Sequence, residues 1–242
     1  MRDEIQLLRS ICQALGHWDV FHHKAALECV DSTAFSRLSE VREAVVDPLR
    51  KLVSVRGWLI SDGDLPKNTS GYELVDDLLW NARRRAQRGR YDDAVGRFYR
   101  ALEMLAQVRL RLKYGIDTGK VRRDQLTDAL ASQYLTPAES EAALGLRKAY
   151  SLLRDLGDEP VGALFKVHEN ALVNALTVRN HSLFAHGYQP IGRDDYLRFC
   201  GFAEGFLDQL LDQLFGKCKR GRQLPASVGE ILGSVAEAAS AR

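Results

Sequence analysis

Val178-Arg179-Asn180-His181-Ser182-Leu183-Phe184-Ala185-His186-Gly187 is a mostly apolar run carrying two residues that an apolar helix does not need. Arg179 and His186 stand seven positions apart. On an α-helix that is close to two full turns, so both side chains leave one face, about 10 Å apart along the axis. Arg keeps its charge at all ordinary pH and presents a planar fork of donors that fits phosphate. His titrates near neutral pH and carries a proton either way. A fixed cation and a proton carrier on one face suit the cleavage of a phosphodiester. Gly187 reads as a helix C-terminal glycine, which places His186 in the last turn, where the macrodipole favours the imidazolium. A plainer reading stands beside this one. A His ahead of Gly often only ends a helix well, and Arg179 has Asp194 or Glu169 as surface partners.

Working outward, the segment ending in Arg-Asn-x-x-x-x-x-His-Gly resembles the R-x(4–6)-H motif of HEPN-domain ribonucleases, with six residues between Arg179 and His186. A second stretch supports the likeness: Gly89-Arg90-Tyr91-Asp92-Asp93-Ala94-Val95-Gly96-Arg97-Phe98-Tyr99-Arg100-Ala101-Leu102-Glu103-Met104-Leu105. It resembles the helix that packs beside the motif helix in that family. With Tyr114-Gly115-Ile116-Asp117-Thr118, residues 72–215 resemble the C-terminal half of CRISPR-associated proteins that join a nucleotide-sensing CARF domain to a HEPN domain.

The whole chain bounds what this implies. Its 242 residues, 45% hydrophobic, suffice for one large domain or two small ones with a sizeable core. A net charge of +2 is too mild to argue nucleic acid by itself, so any RNA site must come from local clustering. Cys12, Cys29, Cys200 and Cys218 form no C-x-x-C pair and suit free thiols in a reducing cytoplasm. No apolar run reaches the roughly 18 residues of a membrane span, and Met1-Arg2-Asp3-Glu4 lacks a signal-peptide layout. The expectation is a cytoplasmic protein without a membrane partner.

In chain order, residues 3–15 and 18–30 read as helices with a break at Gly16. His17, Asp19, His22 and His23 lie close together, but their spacing is irregular for a metal site, and no metal or other cofactor is expected. Residues 31–57 continue helical, with Asp31-Ser32 offering caps and Asp47-Pro48 a break or kink. The loop Ser61–Gly71 separates an N-terminal helical region, 1–70, from a HEPN-like domain, 71–216; a tail follows over 217–242. Residues 72–88 form a helix whose basic end, Arg83, Arg84, Arg85, Arg88 and Arg90, reads either as a solvated helix end or as a phosphate-tracking RNA patch. Residues 72–105 resemble one tetratricopeptide repeat, but 106–139 hold no second copy, and a single repeat cannot bury its own face. The spacing predicts a helix from Asp92 to Lys113. Gly115–Lys120 fails as a phosphate loop, because its glycines are too close, Val121 replaces the hydroxyl residue and no strand precedes. Residues 122–132 read as a short helix. Thr136-Pro137-Ala138-Glu139 reads as the capping box of another, running to Gly157. A further helix opens at Asp158-Glu159-Pro160 and runs to His186, with a possible break near Arg179. A last helix covers 193–215. His168 reads as a packed or surface residue. No stretch shows strand alternation, so the fold is an all-α helical bundle with no parallel sheet and no CARF domain in this chain.

The resemblance implies a metal-independent endoribonuclease acting on single-stranded RNA. It implies His186 as general acid or base, Arg179 on the scissile phosphate, Asn180 orienting the site, and His181 as a neighbour in the RNA groove. It also implies a homodimer with a composite active site, and activation by cyclic oligoadenylate only through a sensor domain outside this chain. Two other readings stay open: a non-catalytic helical interaction module, and a HEPN toxin or subunit paired with a nucleotidyltransferase.

Overall fold

The computed structural model describes residues 2–31, 41–180, 188–221 and 224. His181, His186 and Gly187 lie outside the described residues, as does Ser32. The chain divides into two compact units, one built on residues up to Leu74 and the other formed by Val75–Lys217.

In the first unit, α1 (Arg2–Asp19) runs straight through Gly16, because the buried stripe Ile11, Ala14, Leu15 and Trp18 continues past it. The expected break falls three residues later. Phe21 takes a left-handed φ of 62°, and the amide of His22 closes on the His17 carbonyl. Then α2 (His23–Asp31) begins. A π-helical turn, Arg42–Val46, feeds directly into α3 (Asp47–Leu59). Pro48 does not break the path: the chain stays helical through it, and Pro48 falls where π-helical turns give way to α-helical ones at Asp47. Asp31 is the last described residue of α2 and accepts from Arg50 of α3 at 2.5 Å; the helix start that Asp31-Ser32 would cap lies outside the described residues.

The second unit carries the functional candidates. The chain enters α4 (Glu73–Gln87) by a local cap: the Glu73 carboxylate takes the amides of Ser70 and Gly71 at 2.6 and 2.9 Å. Helix α5 (Tyr91–Tyr114) supplies the core stripe Val95, Phe98, Leu102, Leu105 and Val108 and ends at Gly115, whose φ of 64° only glycine adopts freely. Next come a short 3-10 turn (Arg123–Gln125), α6 (Asp128–Tyr134), α7 (Leu146–Asp155), α8 (Val161–Asn180) and α9 (Arg193–Leu214). Helices α5, α8 and α9 pack on one another, and α7 covers α5 and α8. Tyr150 of α7, fully buried, donates to the Leu102 carbonyl at 2.9 Å and packs on Phe165 and Phe206. Gly162 lets α8 start hard against α7, since a Cβ there would fall 2.4 Å from the Leu153 carbonyl oxygen.

Two expectations fail between α5 and α7. The capping-box sequence at Thr136 starts no helix. Glu139 does accept from the Thr136 amide at 2.8 Å, but it closes a turn. Beyond it, β2 (Glu141–Ala142) pairs antiparallel with β1 (Val121–Arg122), a hairpin with no counterpart in the sequence periodicity. Long-range bonds decide this: the Leu144 amide donates to the Thr118 carbonyl at 2.7 Å, and the Arg123 amide to the Ser140 carbonyl at 2.9 Å. Helix α7 begins only at Leu146. The two-stranded hairpin leaves the fold helical, and it is the only sheet among the described residues.

Candidate functional site

Helix α8 is built at its start by a buried acid and ends at the motif cation. Asp158, its side chain wholly inaccessible, accepts from Arg109 Nε at 2.9 Å, Lys113 Nζ at 3.0 Å, the Tyr114 hydroxyl at 3.0 Å and the Val161 amide at 3.1 Å. The last bond caps α8, while the other three pin its start to the final turns of α5. Burial alone pushes the Asp158 carboxyl up. The hydrogen bonds and charges of Lys113 and Arg109 outweigh that and hold it below the usual carboxylate range.

At the other end, Arg179 lies in the last described turn of α8, and Asn180 is exposed beside it. The Arg179 guanidinium sits over the Tyr99 ring of α5, 4.2 Å from its centroid. Its Nη1 donates to Asn180 Oδ1 at 3.3 Å. Neither Glu169 nor Asp194 pairs with it: Glu169 takes Arg154 at 2.7 Å and Arg147 at 3.5 Å. Among the described residues Arg179 has no carboxylate partner. It is thus a cation held by a neutral ring and a neutral amide.

The chain returns to α5 after the motif. Ile191, buried, donates its amide to Asp92 Oδ1 at 3.0 Å. Asp92 and Tyr99 are seven residues apart on α5, about 10 Å along its axis. The described ends of the motif segment are therefore both fixed to one helix. Tyr196 and Phe199 of α9 hold that helix in place, Tyr196 stacking on Tyr91 at 5.2 Å and both packing on Phe98. His168 packs against Phe202 and Phe206, well inside α8 and away from its motif end.

The arginines of α4 do not form one strip. Arg83 is bound to Glu204 and Asp208 of α9 and lies over Trp80. Arg85 is buried, Arg84 half-buried and Arg88 exposed; Arg90 pairs with Asp93. The patch reading takes Arg83, Arg84, Arg85 and Arg88 toward RNA, with part of the run left to solvent; here Arg85 is buried, and Arg83 is half-buried and tied to two carboxylates of α9. Cys200 lies beside this network and donates to Glu204 at 3.0 Å. Burial, with Glu204 adding to it, pushes the thiol up to about 12, so it is no nucleophile at neutral pH. Sequence reasoning missed Tyr99 as the support of Arg179. Its only signal was an aromatic residue next to core Phe98, and nothing in the pattern linked it to a position eighty residues later.

Residues 66–210 match the Csm6 HEPN domain, and the chain belongs to that family. The match spans α4, α5, the hairpin, α8 and most of α9, including the whole motif segment. The resemblance drawn from Gly89–Leu105 and the Arg-Asn motif is thereby borne out, and it points to a ribonuclease of CRISPR-associated defence. No curated protein matches the chain. Among the described residues no helix is long and apolar enough to cross a membrane.

Proposed function

We propose that the chain is a metal-independent endoribonuclease that cleaves single-stranded RNA in CRISPR-associated antiviral defence. The observation that carries this reading is the state of Arg179: a cation at the end of the motif helix, supported without a carboxylate. Such a group keeps its full charge for a phosphate. RNA supplies its own nucleophile in the 2′-hydroxyl. His186 takes or gives the proton, a role worth about 10²–10⁴-fold in rate. Arg179 binds the scissile phosphate and stabilises the charge that builds on it in the transition state. Asn180, bonded to Arg179, adds a hydrogen-bonding group that orients the site toward its substrate. The products are a 2′,3′-cyclic phosphate and a 5′-hydroxyl.

The family resemblance supports pairing of two copies into one composite site. It also supports control by cyclic oligoadenylate through a sensor domain outside these 242 residues, in a cytoplasmic setting. Residues 71–216 are the proposed nuclease domain and 1–70 an added helical region.

The test is cleavage of an end-labelled single-stranded RNA in EDTA, beside a DNA of the same sequence. The expected result is RNA cleavage leaving cyclic phosphate ends, with the DNA intact, since DNA lacks the 2′-hydroxyl. Cleavage of the DNA, or a strict need for Mg²⁺, would contradict the mechanism.

A further inference from the structure

We infer that Tyr99 is a positioning residue for Arg179, acting through the face of its ring. The inference rests on the ribonuclease reading and deepens it. Arg179 is reached by two side chains only among the described residues, the Tyr99 ring at 4.2 Å and Asn180 at 3.3 Å. Asn180 is exposed and is the neighbour of Arg179 in sequence, so it cannot fix the guanidinium relative to the rest of the unit. Tyr99 can. It stands on α5, half-buried, between the fully buried residues Phe98 and Leu102, and α5 is locked at its end by the Asp158 network. The ring face attracts the cation through its quadrupole without neutralising it. A ring face takes up no N–H donor of a guanidinium that lies flat on it, so the donors not used by Asn180 stay available to phosphate oxygens. A carboxylate in the same place would occupy the fork and cancel the charge, as Glu204 and Asp208 do for Arg83. An aromatic shelf is thus the kind of support that a phosphate-binding arginine needs.

The test uses the full chain and compares wild type with Tyr99→Phe, Tyr99→Leu and Arg179→Lys in single-turnover RNA cleavage at saturating RNA, with melting temperatures alongside. Tyr99→Phe keeps the ring and should stay within about twofold of wild type. Tyr99→Leu keeps the bulk but loses the quadrupole. It should be about tenfold slower, equal to about 1.4 kcal/mol, with little change in melting temperature. Arg179→Lys keeps the charge but loses the plane and should fall at least as far as Tyr99→Leu. Full activity in Tyr99→Leu would overturn the inference. So would a Tyr99→Phe as slow as Tyr99→Leu, because the hydroxyl and not the face would then be the agent. Should wild type cleave no RNA, either the ribonuclease reading fails or the nuclease is latent without its sensor, and neither outcome bears on Tyr99. Affinity for an uncleavable 2′-O-methyl RNA then takes the place of rate, with the same order expected. Equal affinity of wild type and Tyr99→Leu would sink the role of Tyr99.

Discussion

The two ends of α8 treat charge in opposite ways. At the start, Asp158 is inaccessible and meets two cations, a phenol and an amide, so its charge is fully answered within the fold. At the end, Arg179 is given a ring and an amide oxygen and no anion among the described residues. Desolvating an unpaired charge is costly, so a buried acid must be compensated if the helix is to start there at all. A half-exposed cation carries no such demand, and leaving it unanswered keeps it free for a ligand. The same contrast separates Arg179 from Arg83, Arg97 and Arg154, each of which is tied to a carboxylate. Arg83, Arg97 and Arg154 are neutralised locally. The candidate functional charge is supported but not neutralised.

Several substitutions break or sharpen that contrast. His186→Ala should lower RNA cleavage by about 10²–10⁴-fold while leaving the melting temperature near wild type, as a stopped cleavage assay with parallel thermal melts would show. Asp158→Ala should do the reverse. It leaves Arg109 and Lys113 without their anion and should cost about 3–5 kcal/mol in urea unfolding, with any loss of rate following the loss of folded protein. The acid limb of stability checks the same residue. The folded Asp158 titrates below its ordinary value, whereas in the unfolded chain it returns to about 3.9. Its contribution is therefore whole above about pH 5 and is lost as pH falls through the folded value. Wild type should lose stability steeply below about pH 4, and Asp158→Asn should show a shallower slope over that range. Arg83→Ala should cost about 1 kcal/mol through its two carboxylates, without a specific effect on cleavage. Arg88→Ala should change stability by no more than about 0.5 kcal/mol. If Arg88 meets phosphate, titrations over a range of salt should show the salt slope of RNA binding reduced by about 1.

Much of the fold was legible in the sequence, for reasons that are local. The stripe from Val95 to Val108 is a repeat at helical spacing, and Gly115 and the Asp158 start are terminus signals within three residues of the observed ends. Gly16 reads as a break and Asp47-Pro48 as a break or kink. In fact the buried stripe of α1 runs through Gly16, and the chain stays helical through Pro48. The hairpin at Val121 and Glu141 was invisible because its determinants are bonds to residues about twenty positions away, which outweigh a sound capping box at Thr136. The site divides in the same way. Arg179 is proposed from its spacing to His186 and from the resemblance, and Asn180 from the resemblance alone. Tyr99 was not, since the contact that matters joins α5 to α8 across eighty residues. The Asp158 network, spanning 44–49 residues, was seen only as the opening of a helix. The arginine run at the end of α4 is ambiguous for a related reason: a count of charges does not say which of them already face a carboxylate on another helix.

The most direct measurement is Arg179→Ala read twice on one preparation, once for RNA cleavage in EDTA and once for thermal stability. The account predicts that cleavage is lost while the melting temperature stays within a degree or two of wild type, because this cation answers no charge in the fold. Retained cleavage, or activity and stability lost together, would contradict it and make Arg179 one more structural arginine.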